Sequence, residues 1–171
     1  QVNYKDEWGS FTIRAVHPGH QVLEKTVVTQ GRYINEIDIR EFRKIALVGS
    51  LVKDALFGEA PALGREIKIN GISFKVVGIF EDAGSEQERE MIYLPITTAQ
   101  RTFNGQRRVN QILYTTGDAS LAQATSMADQ TKEILATNHT FDPEDPRAIF
   151  VNNAVESFQR FVALMGGIRI F

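Results

Sequence analysis

The chain has 171 residues, of which 43% are hydrophobic and 23% are charged. This length and composition are typical of a soluble globular protein with one domain or two small lobes, and they exclude a disordered tail, a collagen-like repeat and a coiled-coil rod. Nineteen basic and 21 acidic residues give a net charge of −2, which offers no field to attract nucleic acid, and the absence of cysteine excludes disulfides, thiolate metal sites and a cysteine nucleophile.

The first predicted elements are a strand and then a strand-turn-helix. Polar and β-branched residues alternate over residues 11–16 and end at a His-Pro-Gly-His turn. A short apolar run occupies residues 45–48, and apolar residues recur at helical spacing over residues 52–56. Ser50 is the predicted N-cap of this helix, and Gly58 is its predicted C-terminal stop.

The clearest predicted element is a β-hairpin at Asn70-Gly71. This dipeptide favours the two positive φ angles of a type I′ turn, and strand-like segments at residues 67–69 and 72–80 flank it. Residues 81–90 follow, with five acidic side chains and no apolar periodicity. We therefore predict that residues 81–90 form a solvated, mobile loop that is dispensable for folding.

A short strand and a short helix are predicted next. Residues 91–95 have the composition of a strand and end at a proline. Thr97 or Thr98 is the predicted cap of a helix that runs to Phe103, and an Asn-Gly turn follows it.

Residues 109–151 are predicted to form a strand-helix-strand unit, which places strands in parallel or as neighbours in an α+β sheet. The two strands are Val109–Tyr114 and Ala148–Val151. Asp118 or Ser120 caps the intervening helix, which ends before His139. Its more apolar face comprises Leu121, Ala124, Ala128, Thr131, Leu135 and Asn138.

The last predicted element is a helix with a strongly apolar stripe. Asn153 and Glu156 have the spacing of a capping box. The stripe comprises Val155, Phe158, Phe161, Val162, Met165 and Ile168. Two interpretations stay open: a terminal helix packed on its own core, or a projecting helix whose part from Leu164 to Phe171 needs a membrane or a partner to cover it. The stripe also suggests that the natural protein continues beyond it, although no run reaches the roughly 18 apolar residues of a membrane span.

The sequence contains no motif typical of a catalytic centre. We find no nucleophile elbow, Walker-type phosphate loop, His-Glu-x-x-His or dinucleotide fingerprint. His17 and His20 flank a Pro-Gly turn and are interpreted as exposed imidazoles, because no third metal ligand lies at a recognisable spacing. Other weak candidates are interpreted as solvated loops or surface: His139 with Asp142, Glu144 and Asp145; the Arg107-Arg108 pair; and the sequon at residues 138–140. We therefore predict no catalytic, cofactor-binding or metal-binding residue.

Several segments together resemble a known family. They are Gly31-Arg32-Tyr33-Ile34-Asn35, Asp38, Ile45-Ala46-Leu47-Val48-Gly49, Leu56-Phe57-Gly58, Leu63-Gly64-Arg65-Glu66-Ile67 and Phe74-Lys75-Val76-Val77-Gly78-Ile79, with weaker agreement at residues 92–95 and 135–139. In this order and spacing they resemble the periplasmic core domain of MacB/FtsX-like permeases of ABC transporters. The resemblance covers nearly the whole chain.

The resemblance implies an α+β fold made of a mixed α/β lobe that carries a smaller, β-rich inserted lobe. Residues 1–34 and 107–151 would form the first lobe, which would lack a strand and a helix expected before Gln1. Residues 35–106 would form the insertion. Residues 152–171 would be a stalk helix that leads to a membrane helix.

The resemblance also implies a non-catalytic domain on the periplasmic side of the inner membrane. The domain would couple cytoplasmic ATP hydrolysis to efflux, lipoprotein release or partner activation by mechanical transmission. Its partners would be a cytoplasmic ATPase subunit or domain acting through membrane helices, a second permease copy, and a periplasmic adaptor or envelope protein, with no nucleic acid and no cofactor. The alternatives are a secreted hydrolase with a dispersed active site, which needs a pocket of convergent titratable groups, and a free-standing extracellular binding module.

Overall fold

Two compact units divide the chain in the computed structural model: residues 1–113 and residues 114–171. The structure describes residues 1–82, 85–106 and 108–167. Strands from residues 1–34 and from residues 35–106 lie in one sheet of the first unit. The assignment of residues 1–34 with 107–151 to one lobe and of residues 35–106 to an inserted lobe stays a prediction.

The first unit contains a mixed sheet, which confirms the α+β fold class. Its strands are β1 Val2–Tyr4, β2 Glu7–Gly9, β3 Thr12–Val16, β4 Val27–Gly31, β5 Ile45–Gly49, β6 Glu66–Ile69, β7 Ile72–Glu81 and β8 Met91–Pro95. They follow the order β2-β1-β6-β7-β5-β8-β3, and β4 pairs with β7 off this path. The pairs β3 with β8 and β5 with β7 are parallel, and the other pairs are antiparallel.

The helices of the first unit are short, whereas those of the second unit are longer. The first unit contains α1 His20–Leu23, α2 Glu36–Arg40, α3 Ser50–Phe57, α4 Glu86–Arg89 and α5 Ile96–Thr102. The second unit contains α6 Leu121–His139 and α7 Ala154–Gly167.

β5 is buried along its whole length because both faces of it are covered. Ala46 and Val48 belong to one hydrophobic cluster, and Ile45 and Leu47 belong to the other. This separation is the period-two alternation of a strand, and a strand buried on both faces has no polar positions to alternate with apolar ones. The core therefore lies on both faces of the first unit's sheet.

A bulge in β7 keeps that strand in register with the core. Ala46 pairs with Val76 and Leu47 pairs with Gly78, so Val77 is an extra residue. Val76 and Ile79 are three residues apart, which would put them on opposite faces of a regular strand. Because of the bulge, both pack in the same cluster.

The hairpin predicted at Asn70-Gly71 is confirmed. Asn70 has φ 49° and Gly71 has φ 84°, the two positive values of a type I′ turn. β6 and β7 pair directly across it, with Ile69 opposite Ile72. A local signal of two residues was therefore sufficient to set the register.

The predicted cap of α3 was wrong, while its predicted end is confirmed. Gly49 occupies the N-cap position and Ser50 is the first helical residue. Gly58 follows the helix with φ 53°, the conformation that favours glycine at a helix end.

The predicted threonine caps of α5 were also wrong. Pro95 occupies the N-cap position. The Thr97 hydroxyl instead donates to the Ile39 carbonyl at 2.7 Å, and the Thr98 hydroxyl donates to the Arg43 carbonyl at 3.0 Å. Tertiary contacts with α2 and the segment after it therefore engage both hydroxyls.

The two helices of the second unit have the caps that their sequences predict. Ser120 and Gln123 form a reciprocal capping box at α6, which ends at His139, one residue later than predicted. The Asn153 side chain accepts from the backbone N–H groups of Val155 and Glu156 at the start of α7.

The strands predicted at Val109–Tyr114 and Ala148–Val151 are not formed; both segments are irregular. A strand needs a neighbour to pair its backbone N–H and C=O groups, and neither segment pairs with a strand among the described residues. Their apolar side chains are correspondingly exposed, and Phe150 is the extreme case at 88%. The strand-helix-strand unit therefore reduces to its helix in this chain.

The described residues of the segment 81–90, which leave out residues 83 and 84, are not the free loop that their charge predicted. Glu81 is the last residue of β7, and α4 occupies Glu86–Arg89. Ser85 caps α4 by accepting from the Glu88 backbone N–H at 3.2 Å. Arg14 of β3 pairs with Glu88, and Arg89 pairs with Glu81 within the segment, so part of the charge that composition assigned to solvent is compensated by ion pairs.

Candidate functional site

Asp38 and Arg32 form an ion pair at the start of α2. Asp38 has no exposed surface, and both of its oxygens accept from the Arg32 guanidinium, at 2.6 and 2.9 Å. Arg32 also donates to the Tyr33 carbonyl at 2.8 Å. A bidentate pair of this kind is among the stronger charge-assisted interactions in proteins.

Burial works to raise the pKa of Asp38, but its partners outweigh that effect. The hydrogen bonds from Arg32 and from the Asn35 backbone N–H, together with the charges of Arg32 and Arg43, hold the pKa of Asp38 below its ordinary value. The hydrogen bond to Asp38 raises the pKa of Arg32 in turn. Asp38 and Asn35 also make a reciprocal capping box for α2. The pair therefore fixes the chain between β4 and α2.

Two glycines let the backbone approach closely beside this pair. A Cβ at Gly31, which has φ 76°, would lie 2.2 Å from the Val77 carbonyl oxygen, and a Cβ at Gly78 would lie 2.4 Å from the Arg32 carbonyl oxygen. The Arg32 N–H donates to the Val77 carbonyl at 3.0 Å. Larger residues at these positions would separate β4 from β7.

A second polar cluster joins β3, β8 and α4. Arg14 of β3 donates to both carboxylate oxygens of Glu88 at 3.0 and 3.2 Å. The Tyr93 hydroxyl, on a side chain that is almost fully buried, donates to Glu88 as well. Gly49 makes room for α4, because a Cβ there would lie 2.1 Å from the Arg89 carbonyl oxygen.

His20 is buried, so the prediction that it is an exposed imidazole was wrong. Its Nδ1 lies 3.0 Å from the Tyr33 hydroxyl, and its ring meets the Tyr93 ring edge-on. Burial lowers the pKa of His20 and raises the pKa of both tyrosines. His17 is exposed, with its Nε2 3.9 Å from a carboxylate oxygen of Glu36. Of the two imidazoles that flank the turn, one is therefore buried and the other is exposed to solvent.

The other weak candidates that the structure describes lie at the surface. His139, Asp142 and Glu144 are exposed. Asp145 binds Arg147 at 3.1 Å, and that hydrogen bond lowers the pKa of Asp145. Arg107 lies outside the described residues, and among those described no group of three or more His, Cys, Asp or Glu side chains is placed to hold a metal ion.

A shallow groove on the first unit is the surface feature that sequence reasoning missed. It has a volume of about 300 Å³ and is lined by Phe42, Thr97, Gln100, Arg101 and Gln106. We call it the basic groove. A signal was present in the sequence, because Phe42 is a lone aromatic residue with Arg40, Arg43 and Lys44 within two positions of it.

A second concave surface belongs to the second unit. It has a volume of about 520 Å³ and is lined by Thr116, Asp118, Ala119, Gln123, Ser126 and Met127. Asp118 is the single titratable side chain in that lining. The convergent titratable groups that a hydrolase needs are not found together in this lining or in that of the basic groove.

α7 presents exposed apolar side chains. Phe158 is 66% exposed, and Phe161 and Val162 are at least half exposed. The segment from Leu164 to Phe171, which the projecting-helix interpretation concerns, has side chains that lie outside the described residues. No helix among the described residues combines the length and apolarity that crossing a membrane requires.

Comparison with known proteins identifies relatives of this chain. The sequence model of the family described as the MacB-like periplasmic core domain matches residues 1–131. The chain is 26% identical to the macrolide export ATP-binding/permease protein MacB of Chlorobaculum tepidum, over 95% of this chain and 25% of that protein. It is 25% identical to the MacB protein of Bdellovibrio bacteriovorus, over 81% of this chain and 22% of that protein. The chain therefore spans about a quarter of the length of these curated relatives.

Two solved structures share the fold. The periplasmic region of MacB from Actinobacillus actinomycetemcomitans aligns with a TM-score of 0.72 at 20% identity, over 88% of this chain and 64% of that one. The extracellular domain of the transporter YknZ from Gram-positive bacteria aligns with a TM-score of 0.69 at 20% identity, over 83% of this chain and 72% of that one.

Proposed function

The chain belongs to the MacB-like periplasmic core domain family, and from this premise we propose that it is the extracytoplasmic part of an ABC-transporter permease that transmits movement without catalysing a reaction. The family match over residues 1–131 is the observation that carries the proposal. The relatives named as ATP-binding/permease proteins support an ATPase elsewhere in the same transporter. The domain stands on the outer side of the cytoplasmic membrane.

The construction of the first unit suits mechanical transmission. A body transmits displacement best when it does not deform, and three features stiffen this unit. The Arg32–Asp38 pair ties β4 to α2, the Arg14–Glu88 pair ties β3 to α4, and β5 is packed on both faces. A stiff unit is displaced as one piece when a force acts on it.

α7 is the proposed point of input. Its exposed apolar side chains Phe158, Phe161 and Val162 need cover in a full-length transporter, and a membrane-proximal helix of the permease or of its second copy would supply that cover. Closure of the ATPase would move α7, and α7 would move the envelope partner's binding surface. The two relatives are named as macrolide export proteins, which favours export of a small molecule over lipoprotein release or control of cell-wall hydrolases.

The experiment measures coupling in the full-length transporter, reconstituted in proteoliposomes with its ATPase. Phe158→Glu should lower the amount of substrate moved per ATP hydrolysed by about tenfold, because a charge on this face prevents its cover by an apolar partner helix. Gln159→Glu places the same charge on the neighbouring exposed residue of α7 and is the matched control.

The outcomes separate the functions. A fall in coupling for Phe158→Glu alone supports transmission through α7. Unchanged coupling in both variants contradicts the proposal. Hydrolysis of an ester, peptide or glycoside by the 171-residue chain itself would replace it with the hydrolase alternative.

A further inference from the structure

The basic groove is lined by the segment after α2, by α5 and by the turn that follows α5. The Thr97 and Thr98 hydroxyls bind the carbonyls of Ile39 and Arg43, which fixes α5 against the α2 segment. Gln100 donates to the Arg108 carbonyl at 2.8 Å and holds the turn. The walls of the basic groove are therefore tied together by hydrogen bonds.

Phe42 sits in the basic groove at an energetic cost. Its φ is 51°, a left-handed conformation that is unfavourable for a residue with a side chain, and Phe42 is 42% exposed. The Arg101 guanidinium lies 4.7 Å from the centre of the Phe42 ring. Aromatic residues and arginine are both enriched at protein interfaces, so this partly exposed pair is suited to contact a partner.

Three basic residues and one acidic residue, Glu41, flank Phe42 over residues 40–44, so the local charge is positive although the chain as a whole carries a net charge of −2. Arg40, Lys44, Arg101 and Arg108 are exposed. None of these four takes part in an ion pair among the described residues, whereas Arg43 is paired with Glu41 at 2.8 Å. Unpaired cations around an apolar centre complement a ligand with carboxylates around an apolar side chain.

We propose that the basic groove binds an acidic segment of a partner protein in the cell envelope, with an apolar side chain of the partner on Phe42 and its carboxylates on the surrounding cations. This inference rests on the proposed function in that the partner is the protein on which the domain acts. The cations give orientation and speed of association, and the Phe42 contact gives affinity.

The test uses the 171-residue chain and a pool of short fluorescent peptides. Each peptide has a central Leu, Phe, Tyr or Trp between pairs of Glu residues, and a second pool has Lys in place of Glu. Binding is measured by anisotropy at low and at raised salt. Arg101→Glu should weaken binding by about tenfold or more. Phe42→Asn should weaken it similarly, and asparagine tolerates a positive φ, so the ring is removed without added strain.

The matched control is Arg65→Glu, which makes the same change of charge at an exposed position outside the basic groove. Preference for the Glu pool, lost in Arg101→Glu and Phe42→Asn but kept in Arg65→Glu, supports the proposal. Equal binding of both pools, equal loss in all three variants, or no binding of the Glu pool overturns it. Binding only to vesicles that contain phosphatidylglycerol would also overturn it, in favour of an anionic lipid surface.

The two proposals fail in different experiments. Loss of coupling in Phe158→Glu proteoliposomes with no peptide binding would remove the acidic partner and keep mechanical transmission. Peptide binding together with intact coupling in Phe158→Glu would keep the acidic partner and remove mechanical transmission through α7.

Discussion

Asp38 carries a negative charge where no solvent reaches it, and Arg32 makes this possible. Asp38→Asn should lower the free energy of unfolding by roughly 2–4 kcal/mol, because it leaves the Arg32 guanidinium without its carboxylate. Glu41→Gln, which disrupts the exposed pair with Arg43, should cost less than about 1 kcal/mol. Urea unfolding of the two variants checks this difference, and equal losses would contradict the assignment of Asp38 as the buried member.

The buried His20 predicts a pH dependence of stability. Burial lowers its folded pKa from the ordinary 6.5, so the unfolded chain binds more protons below that pH. The free energy of unfolding should therefore fall as the pH drops from 6.5 towards the lower folded pKa. The lowered pKa of Asp38 acts in a separate window, because its contribution is lost only as the pH falls below 3.8.

The histidine window is checked by urea titrations between neutral and mildly acidic pH. His20→Gln should flatten the slope below pH 6.5, whereas His17→Gln, three residues away and exposed, should retain it. If the pH dependence disappears in His17→Gln and stays in His20→Gln, the prediction that His20 causes it is contradicted.

At the scale of the element, the β6–β7 hairpin depends on its turn. Gly71→Ala should lower the free energy of unfolding by about 1–2 kcal/mol, since φ is 84° there. Gly105→Ala is the matched control, because a Cβ at Gly105 meets its nearest neighbour at an ordinary 3.5 Å. Thermal melts of both variants test the turn, and a loss in Gly105→Ala as large as that in Gly71→Ala would count against it.

α4 is an element whose packing was not expected from its charge. Glu88→Ala should cost roughly 1.5–3 kcal/mol, because it leaves Arg14 and Tyr93 without their shared acceptor. Glu86→Ala, on the exposed side of the same helix, should be nearly neutral. Replacement of residues 82–90 by a Gly/Ser linker should consequently destabilise the chain. An unchanged melting temperature would restore the interpretation as a dispensable loop.

At the scale of the whole molecule, the two units differ in what they bury. Both hydrophobic clusters lie within the first unit, whereas Ala124 and Ala136 are the buried apolar residues of the described part of the second unit. A chain shortened to residues 1–113 should therefore unfold cooperatively, within a few degrees of the melting temperature of the 171-residue chain. Residues 114–171 alone should show no cooperative transition, because two alanines bury too little apolar surface to offset the entropy of folding. Calorimetry of the two pieces distinguishes this result from a jointly stabilised fold.

The sequence by itself determined the features that depend on neighbouring residues. The Asn70-Gly71 turn, the end of α3 at Gly58 and the caps of α6 and α7 each involve a side chain and a backbone group within a few residues. Such interactions survive any global arrangement, so a local pattern predicts them. The family resemblance added order and spacing to these local signals, and the α+β fold class followed from it.

The tertiary structure decided which segments have partners. Arg14 and Glu88 are 74 positions apart, and their ion pair holds α4 against β3 where the sequence predicted a solvated loop. His20 is buried because Tyr33 and Tyr93 surround it, and the Phe42 ring and Arg101 meet across 59 positions. Val109–Tyr114 is predicted as a strand but has no strand beside it among the described residues. Residue type indicates which partner a side chain or strand requires, such as a hydrogen-bond acceptor, an opposite charge or a neighbouring strand. Only the folded topology determines whether that partner is present. The reason is that partners far apart in sequence are brought together by the sheet and not by local preference.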